Sequence, residues 1–115
     1  MNNEISITQN RAFLAGLKIR DGDGQFYLAH NDRLIFGIKK YAYQSDYLLV
    51  KELDDSDYDE EADAYLLRLS TEETDLEPGT YYYDIALNRS GDELEKIISC
   101  TRLAVQKSIV RSDAL

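Results

Sequence analysis

Scarcity is the first thing this sequence shows. A single cysteine, Cys100, excludes an internal disulfide. A single histidine, His30, falls short of the three or four His, Cys or carboxylate ligands that zinc requires. Basic residues are outnumbered, 13 Lys and Arg against 22 Asp and Glu, for a formal charge of -9. Such a surface repels phosphate backbones and anionic lipid, so neither nucleic acid nor a membrane is an expected partner. No apolar run approaches the roughly 20 residues that cross a bilayer as a helix. The first residues, Met1-Asn2-Asn3-Glu4-Ile5, have neither a basic segment nor an apolar one, so no secretory signal is expected. There is no phosphate-cradling glycine loop and no G-x-S-x-G elbow, and no catalytic set or cofactor is expected.

What is present is β periodicity. The 115 residues suit one domain, with residues 107–115 expected to fray. Asn3–Thr8 alternates polar and apolar. Phe13, Ala15, Leu17 and Ile19 follow at period two, with Lys18 and Arg20 opposite. Asp21-Gly22-Asp23-Gly24 is a strong turn signal, from which Gln25–Leu28 returns. Further strands are predicted over Arg33–Lys40, Tyr47–Lys51 (covered on both sides), Ala64–Leu69, the tyrosine run from Thr80, and Glu93–Gln106. Asn88–Asp92 marks a hairpin turn. The last strand loses alternation at Ser99-Cys100, which predicts a bulge.

Before the tyrosines, Ser70 and Glu73 have capping-box spacing and Pro78-Gly79 ends any helix, which predicts one helical turn. Tyr81 and Tyr83 are expected in the core. Seven or eight short strands and one turn of helix favour an all-β, two-sheet antiparallel sandwich. The expected free edges are the first strand, at Ile7, and the last, Leu103–Gln106, at Val105.

Asp54–Asp63 is acidic enough to be a solvated, mobile loop. Its Asp55, Asp57 and Asp59 imitate the start of an EF-hand, but Glu60 stands where glycine is needed and Leu66 where the closing glutamate is needed. These three aspartates are weak candidates for calcium, and no metal is expected. Cys100, in apolar company, is expected to act as a small hydrophobe and not as a nucleophile served by His30. Nine tyrosines remain. Tyrosine combines large contact area with a polar tip, so Tyr41, Tyr43, Tyr47, Tyr58 and Tyr82 are candidate interface residues.

Four stretches resemble one family. Ile5-Ser6-Ile7-Thr8-Gln9-Asn10-Arg11-Ala12-Phe13 is similar to an I-x-I-T-R-G-D-x-F opening, and Lys18–Gly24 to an x-I-x-D-x-D-G hairpin. Asn31–Lys40 is similar to a G-D-x-I-x-F-x-V-K-K strand. Leu76-Glu77-Pro78-Gly79-Thr80-Tyr81-Tyr82-Tyr83-Asp84-Ile85 resembles L-x-x-G-x-Y-x-Y-D-I, the most specific of the four. The family is the Ig-like modules of phages and prophages of Gram-positive bacteria, including the N-terminal domain of baseplate upper proteins. The resemblance implies an Ig-like sandwich and a non-catalytic role in a tail or baseplate. Other virion proteins and further copies of the chain are the implied partners, and the implied location is the virion or the host cytoplasm during assembly. The alternative expectation is a small ligand- or glycan-binding sandwich, assisted by calcium.

Overall fold

The computed structural model describes residues 4–21, 24–89 and 95–107. It is all-β. A five-stranded sheet is built from β1 (Ile5–Thr8), β5 (Arg33–Lys39), β6 (Leu49–Leu53), β9 (Gly79–Asn88) and β10 (Glu95–Gln106), in the order β1-β10-β9-β5-β6. A three-stranded sheet follows the order β2-β8-β7, with β2 at Phe13–Leu17, β7 at Tyr58–Asp59 and β8 at Ala64–Leu69. A ribbon pairs β3 (Ile19–Asp21) with β4 (Gly24–Phe26). Among the described residues ten strands thus replace the expected seven or eight. The extra ones arise because the long second strand breaks at Lys18 into β2 and β3, and because β7 forms within the acidic segment. The turn residues 22–23, part of the 88–92 turn, and the tail from 108 onward lie outside the described residues.

Alternation decides which side chains go inside. On β9, Tyr81, Tyr83, Ile85 and Leu87 share the inner face, as expected, and all are buried. They meet Leu34, Phe36 and Ile38 of β5, Leu67 and Leu69 of β8, Ile7 of β1, and Leu103 and Val105 of β10 in one core. Phe36 and Tyr83 place their rings 5.6 Å apart. Tyr81 keeps its hydroxyl satisfied by donating to the Glu77 carbonyl at 2.7 Å.

Two pairings depart from expectation. β1 runs parallel to β10, matching Ile5 with Leu103 through Thr8 with Gln106, so the sheet is mixed. As a result β10 is flanked by β1 and β9, and Leu103–Gln106 is not an edge. Ile7 and Val105 are buried core residues. The fifth predicted strand lies at Leu49–Leu53, at the end of the five-stranded sheet, and is covered on one face only: Leu49, Lys51 and Leu53 are half-buried or buried, while Val50 and Glu52 are exposed. It is β5 that is buried on both faces: Leu34, Phe36 and Ile38 face the core, and on the other face the Tyr47 ring lies over Gly37 beside the buried Lys39. A Cβ at Gly37 would fall 2.5 Å from that ring.

The irregular points follow the local chemistry. The bulge in β10 lies where alternation fails, with register shifts between Ile98 and Thr101 and a left-handed φ of 48° at Cys100. Its thiol is exposed instead of filling the core. The capping box is present: Ser70 N–H donates to Glu73 at 2.9 Å and Glu73 N–H donates to Ser70 Oγ at 3.2 Å. Thr74 N–H closes the turn on the Ser70 carbonyl at 3.1 Å. Gly79, at φ 150°, then redirects the chain into β9. Lys51 of β6 reaches Glu73 at 2.9 Å and ties this turn to the larger sheet.

The Ser70 backbone bond, aided by Lys51, holds the Glu73 carboxyl below its usual range. Its stabilising contribution is therefore full above the ordinary glutamate pKa of about 4.3 and fades as pH falls through the lower folded value. Glu73→Ala is expected to cost about 1 kcal/mol, the size of a lost helix cap. In urea at neutral pH this appears as a lower midpoint, and the deficit shrinks on acidification below pH ~4.

Candidate functional site

The connection between β5 and β6 carries the most exposed aromatic surface of the described residues. The Gln44 side chain accepts from the backbone N–H groups of Lys40 and Tyr41 at 3.2 and 3.3 Å. Gln44 N–H returns to the Tyr41 carbonyl at 3.1 Å, and Leu48 N–H reaches the Ile38 carbonyl at 2.7 Å. With its backbone fastened in this way, the loop presents Tyr41 and Tyr43 stacked at 5.5 Å and 14°. Tyr43 is 87% exposed. Leu48 and Val50, about half exposed, continue the apolar surface along the free edge of β6.

A polar network centred on the buried pair Lys39 and Asp84 lies beneath this ledge, with Tyr47, 38% exposed, at its rim. Tyr47 stacks its ring over Gly37 and donates its hydroxyl to Asp84 Oδ2 at 2.6 Å. Lys39 Nζ stands 3.3 Å from the same oxygen, and Cys100 N–H donates to Oδ1 at 2.5 Å. Lys39 and Asp84 are both nearly inaccessible to water, so each offsets the other's desolvation. One carboxylate therefore joins the loop, the bulge of β10 and the centre of the sheet. The Cys100 thiol reaches back to the Ala42 carbonyl at 4.0 Å. Lys40 Nζ lies 4.3 Å above the Tyr81 ring, a cation–π contact at the other side of the loop. Tyr41, Tyr43, Leu48 and Val50 thus project from a loop whose backbone is already hydrogen-bonded, which lowers the backbone ordering cost of docking.

The other candidates are used differently. Tyr82 is half-buried on the outer face of β9. Tyr58 is half-buried, its ring edge-on to both Tyr65 and Tyr27, at 5.4 and 5.6 Å. Its hydroxyl, with that of Tyr27, donates to Asp63 Oδ1, which Gln25 also reaches. The bond to Asp63 raises the Tyr58 phenol well above the usual tyrosine range, and the two phenols hold the Asp63 carboxyl below the carboxylate range. This cluster fastens the segment after β4 to the loop before β8.

The acidic segment is solvent-exposed over much of its length, as expected, but it is built of local turns and the short strand β7. Asp54 caps a single 3-10 turn, Asp55–Asp57, through its bond from Ser56 N–H, while Asp57 Oδ2 accepts from Asp54 N–H. Asp59 accepts from Ala62 N–H at 2.8 Å. Asp55 lies 3.7 Å from His30. Asp54, Asp57 and Asp59 are thus engaged by their own backbone, and among the described residues no three His, Cys, Asp or Glu side chains converge on one point. His30 lies beside Asp55, and the Cys100 thiol beside the Ala42 carbonyl.

Sequence reasoning placed Tyr41, Tyr43 and Tyr47 in one candidate group but missed Leu48, Val50 and Asp84. Leu48 and Val50 resemble core residues in composition, and only the edge position of β6 exposes them. Asp84 gave a weak signal as a charge alternating with apolar residues in a strand otherwise built for burial.

No protein-family model matches this chain, and no curated protein matches it.

Proposed function

We propose that this chain is a non-catalytic assembly module of a phage or prophage virion, in the tail or baseplate, with an Ig-like sandwich fold. It works through contacts with other virion proteins and with further copies of itself, in the virion or in the host cytoplasm during assembly. The strand order supports the Ig-like reading: β5, β9 and β10 stand as strands C, F and G with β6 beside C, and β2, β8 and β7 stand as B, E and D. The Tyr81 hydroxyl bond to the backbone four residues upstream is that of a tyrosine corner. Tyr83, two residues on, meets Phe36 of strand C where antibody domains carry a disulfide against tryptophan. The β3–β4 ribbon is additional to that plan.

The observation that carries the assembly role is the ledge: stacked tyrosines, Leu48 and Val50 on a free strand edge above a rigid polar base. Buried aromatic anchors dominate association energies, and an unpaired edge offers main-chain bonds as well. The test is mass by light scattering at several concentrations, with and without calcium. A discrete oligomer indifferent to calcium is expected, and Tyr41→Ser with Tyr43→Ser should weaken it by about tenfold or more. An oligomer that the double variant leaves intact would remove the ledge from the interface. A monomer that binds no other virion protein would sink the reading altogether.

The open face of the Tyr41–Tyr43 stack favours a second reading, a glycan or small-ligand site, since sugar rings also stack on tyrosine. Saturable glycan binding lost in the same double variant, by a protein that stays monomeric, would select it.

A further inference from the structure

The three-stranded sheet is paired along β8 on both sides, but among the described residues β2 has no strand on its far flank. In Ig-like domains this sheet carries another strand, A, beside strand B. Here β1 lies in the opposite sheet, parallel to β10. The flank of Phe13–Leu17 is left as an edge, with its outward N–H and C=O groups unclaimed by a ladder.

Two hollows lie along that strand. One, of about 420 Å³, lies on the β8 side of its start, lined by Phe13 and Leu14, by Arg68 and Leu69 of β8, and by Lys51 and Glu73. The other, of about 280 Å³, opens along Ala15–Leu17 and reaches the core residues Leu34, Tyr83 and Ile85. Its cause is local. In the inward row Phe13, Ala15, Leu17 the middle residue offers only a methyl, and the strand ends at Lys18, where the chain leaves for the ribbon. On the outward side Leu14 is 57% exposed, Gly16 offers no side chain, and Lys18 follows. Arg68, opposite Leu14 on β8, is exposed as well. Lys18, within electrostatic reach of Asp63, and Arg68 on the neighbouring β8 are the exposed cations beside this flank on a chain of net charge -9.

We propose that β2 takes up an extended segment of a partner protein by strand addition, filling the place of strand A. The segment carries apolar side chains four residues apart, with a small one between them, on its inward face. Acidic side chains on its outward face meet Lys18 and Arg68. Strand geometry fits this spacing: inward residues recur at every second position, and four residues span about 13 Å, the interval from Phe13 to Leu17. Main-chain bonds along the edge supply affinity, and the hollow along Ala15–Leu17 selects the inward side chains. The inference rests on the assembly reading but uses a different edge from the tyrosine ledge.

The test is titration of the full chain with a synthetic peptide, followed by amide NMR. The capped peptide has the sequence Glu-Leu-Thr-Ala-Glu-Leu-Thr. Micromolar binding is expected, with shifts and slowed exchange of amides in Phe13–Leu17. Ala15→Leu, which fills the deeper hollow, should weaken binding about tenfold or more while the melting temperature holds or rises. Lys18→Glu should weaken it similarly, and a peptide with lysines in place of its glutamates should restore it. Tyr41→Ser with Tyr43→Ser should leave the peptide affinity unchanged. No binding at millimolar peptide, binding indifferent to both β2 variants, shifts confined to β6, or dimerisation of the chain through β2 itself would each overturn the inference. Peptide failure alongside an oligomer that the tyrosine variants dissolve would overturn this inference alone. Peptide binding alongside an oligomer indifferent to those variants would overturn only the ledge.

Discussion

Asp84→Ala is expected to lower the unfolding free energy by about 3–5 kcal/mol, the usual cost of removing one partner from a buried ion pair. The carboxylate is nearly inaccessible and receives the Tyr47 hydroxyl, the Cys100 N–H and the Lys39 ammonium. Alanine leaves all three without that acceptor, and Lys39, almost as buried, keeps a charge with no counter-ion beside it. Against a typical domain stability of about 5–15 kcal/mol, such a loss brings many chains near their threshold. Asp84→Asn should cost less, because an amide oxygen still accepts from Tyr47 or Cys100. Asp84→Leu paired with Lys39→Met should recover much of the loss, since an apolar pair of similar volume removes both desolvation penalties. Urea denaturation of the three variants checks the order. If Asp84→Ala proves no worse than Asp84→Asn, the ion pair is not what holds the base of the ledge.

Val105→Pro is expected to fail as a fold and not merely as an interface. Val105 is buried, and its backbone lies between Ile7 of β1 and Gly79 of β9. Proline removes a ladder donor, leaves a buried acceptor unmet at about 1–3 kcal/mol, and adds a ring where two strands already press. A total of roughly 3 kcal/mol or more should lower the melting temperature by more than ~10 °C. A folded variant of normal melting temperature would show that β1 does not pair with β10.

Val105 also marks where sequence reasoning stops. The strands, their inward rows, the capped turn at Ser70 and Glu73, and the break near Cys100 were legible because each is set by residues within a few positions of one another. Which strand stands next to which is not local information. Asn3–Thr8 and Leu103–Gln106 look alike as half-buried strands, yet one is an edge and the other is enclosed, and only their mutual pairing decides it. The same limit hid the exposure of Leu48 and Val50. It also hid the role of Gly37, whose missing side chain matters only because the Tyr47 ring arrives ten residues later in the sequence. The acidic segment was read in part. Its charge announced its exposure, while its spacing, Asp54 to Ser56 and Asp54 to Asp57, was also that of caps.

The parallel pairing of β1 with β10 has a mechanical consequence. The two strands come from opposite ends of the described chain and run in the same direction, matched from Ile5 with Leu103 to Thr8 with Gln106. Tension drawn between those ends pulls β1 one way along its axis and β10 the other. The rungs of the ladder are then loaded together, in shear, and do not open one after another as in a hairpin peeled from its tip. A module strung by its termini between neighbours would transmit force through this seam, with Ile7, Leu103 and Val105 packed in the core directly behind it.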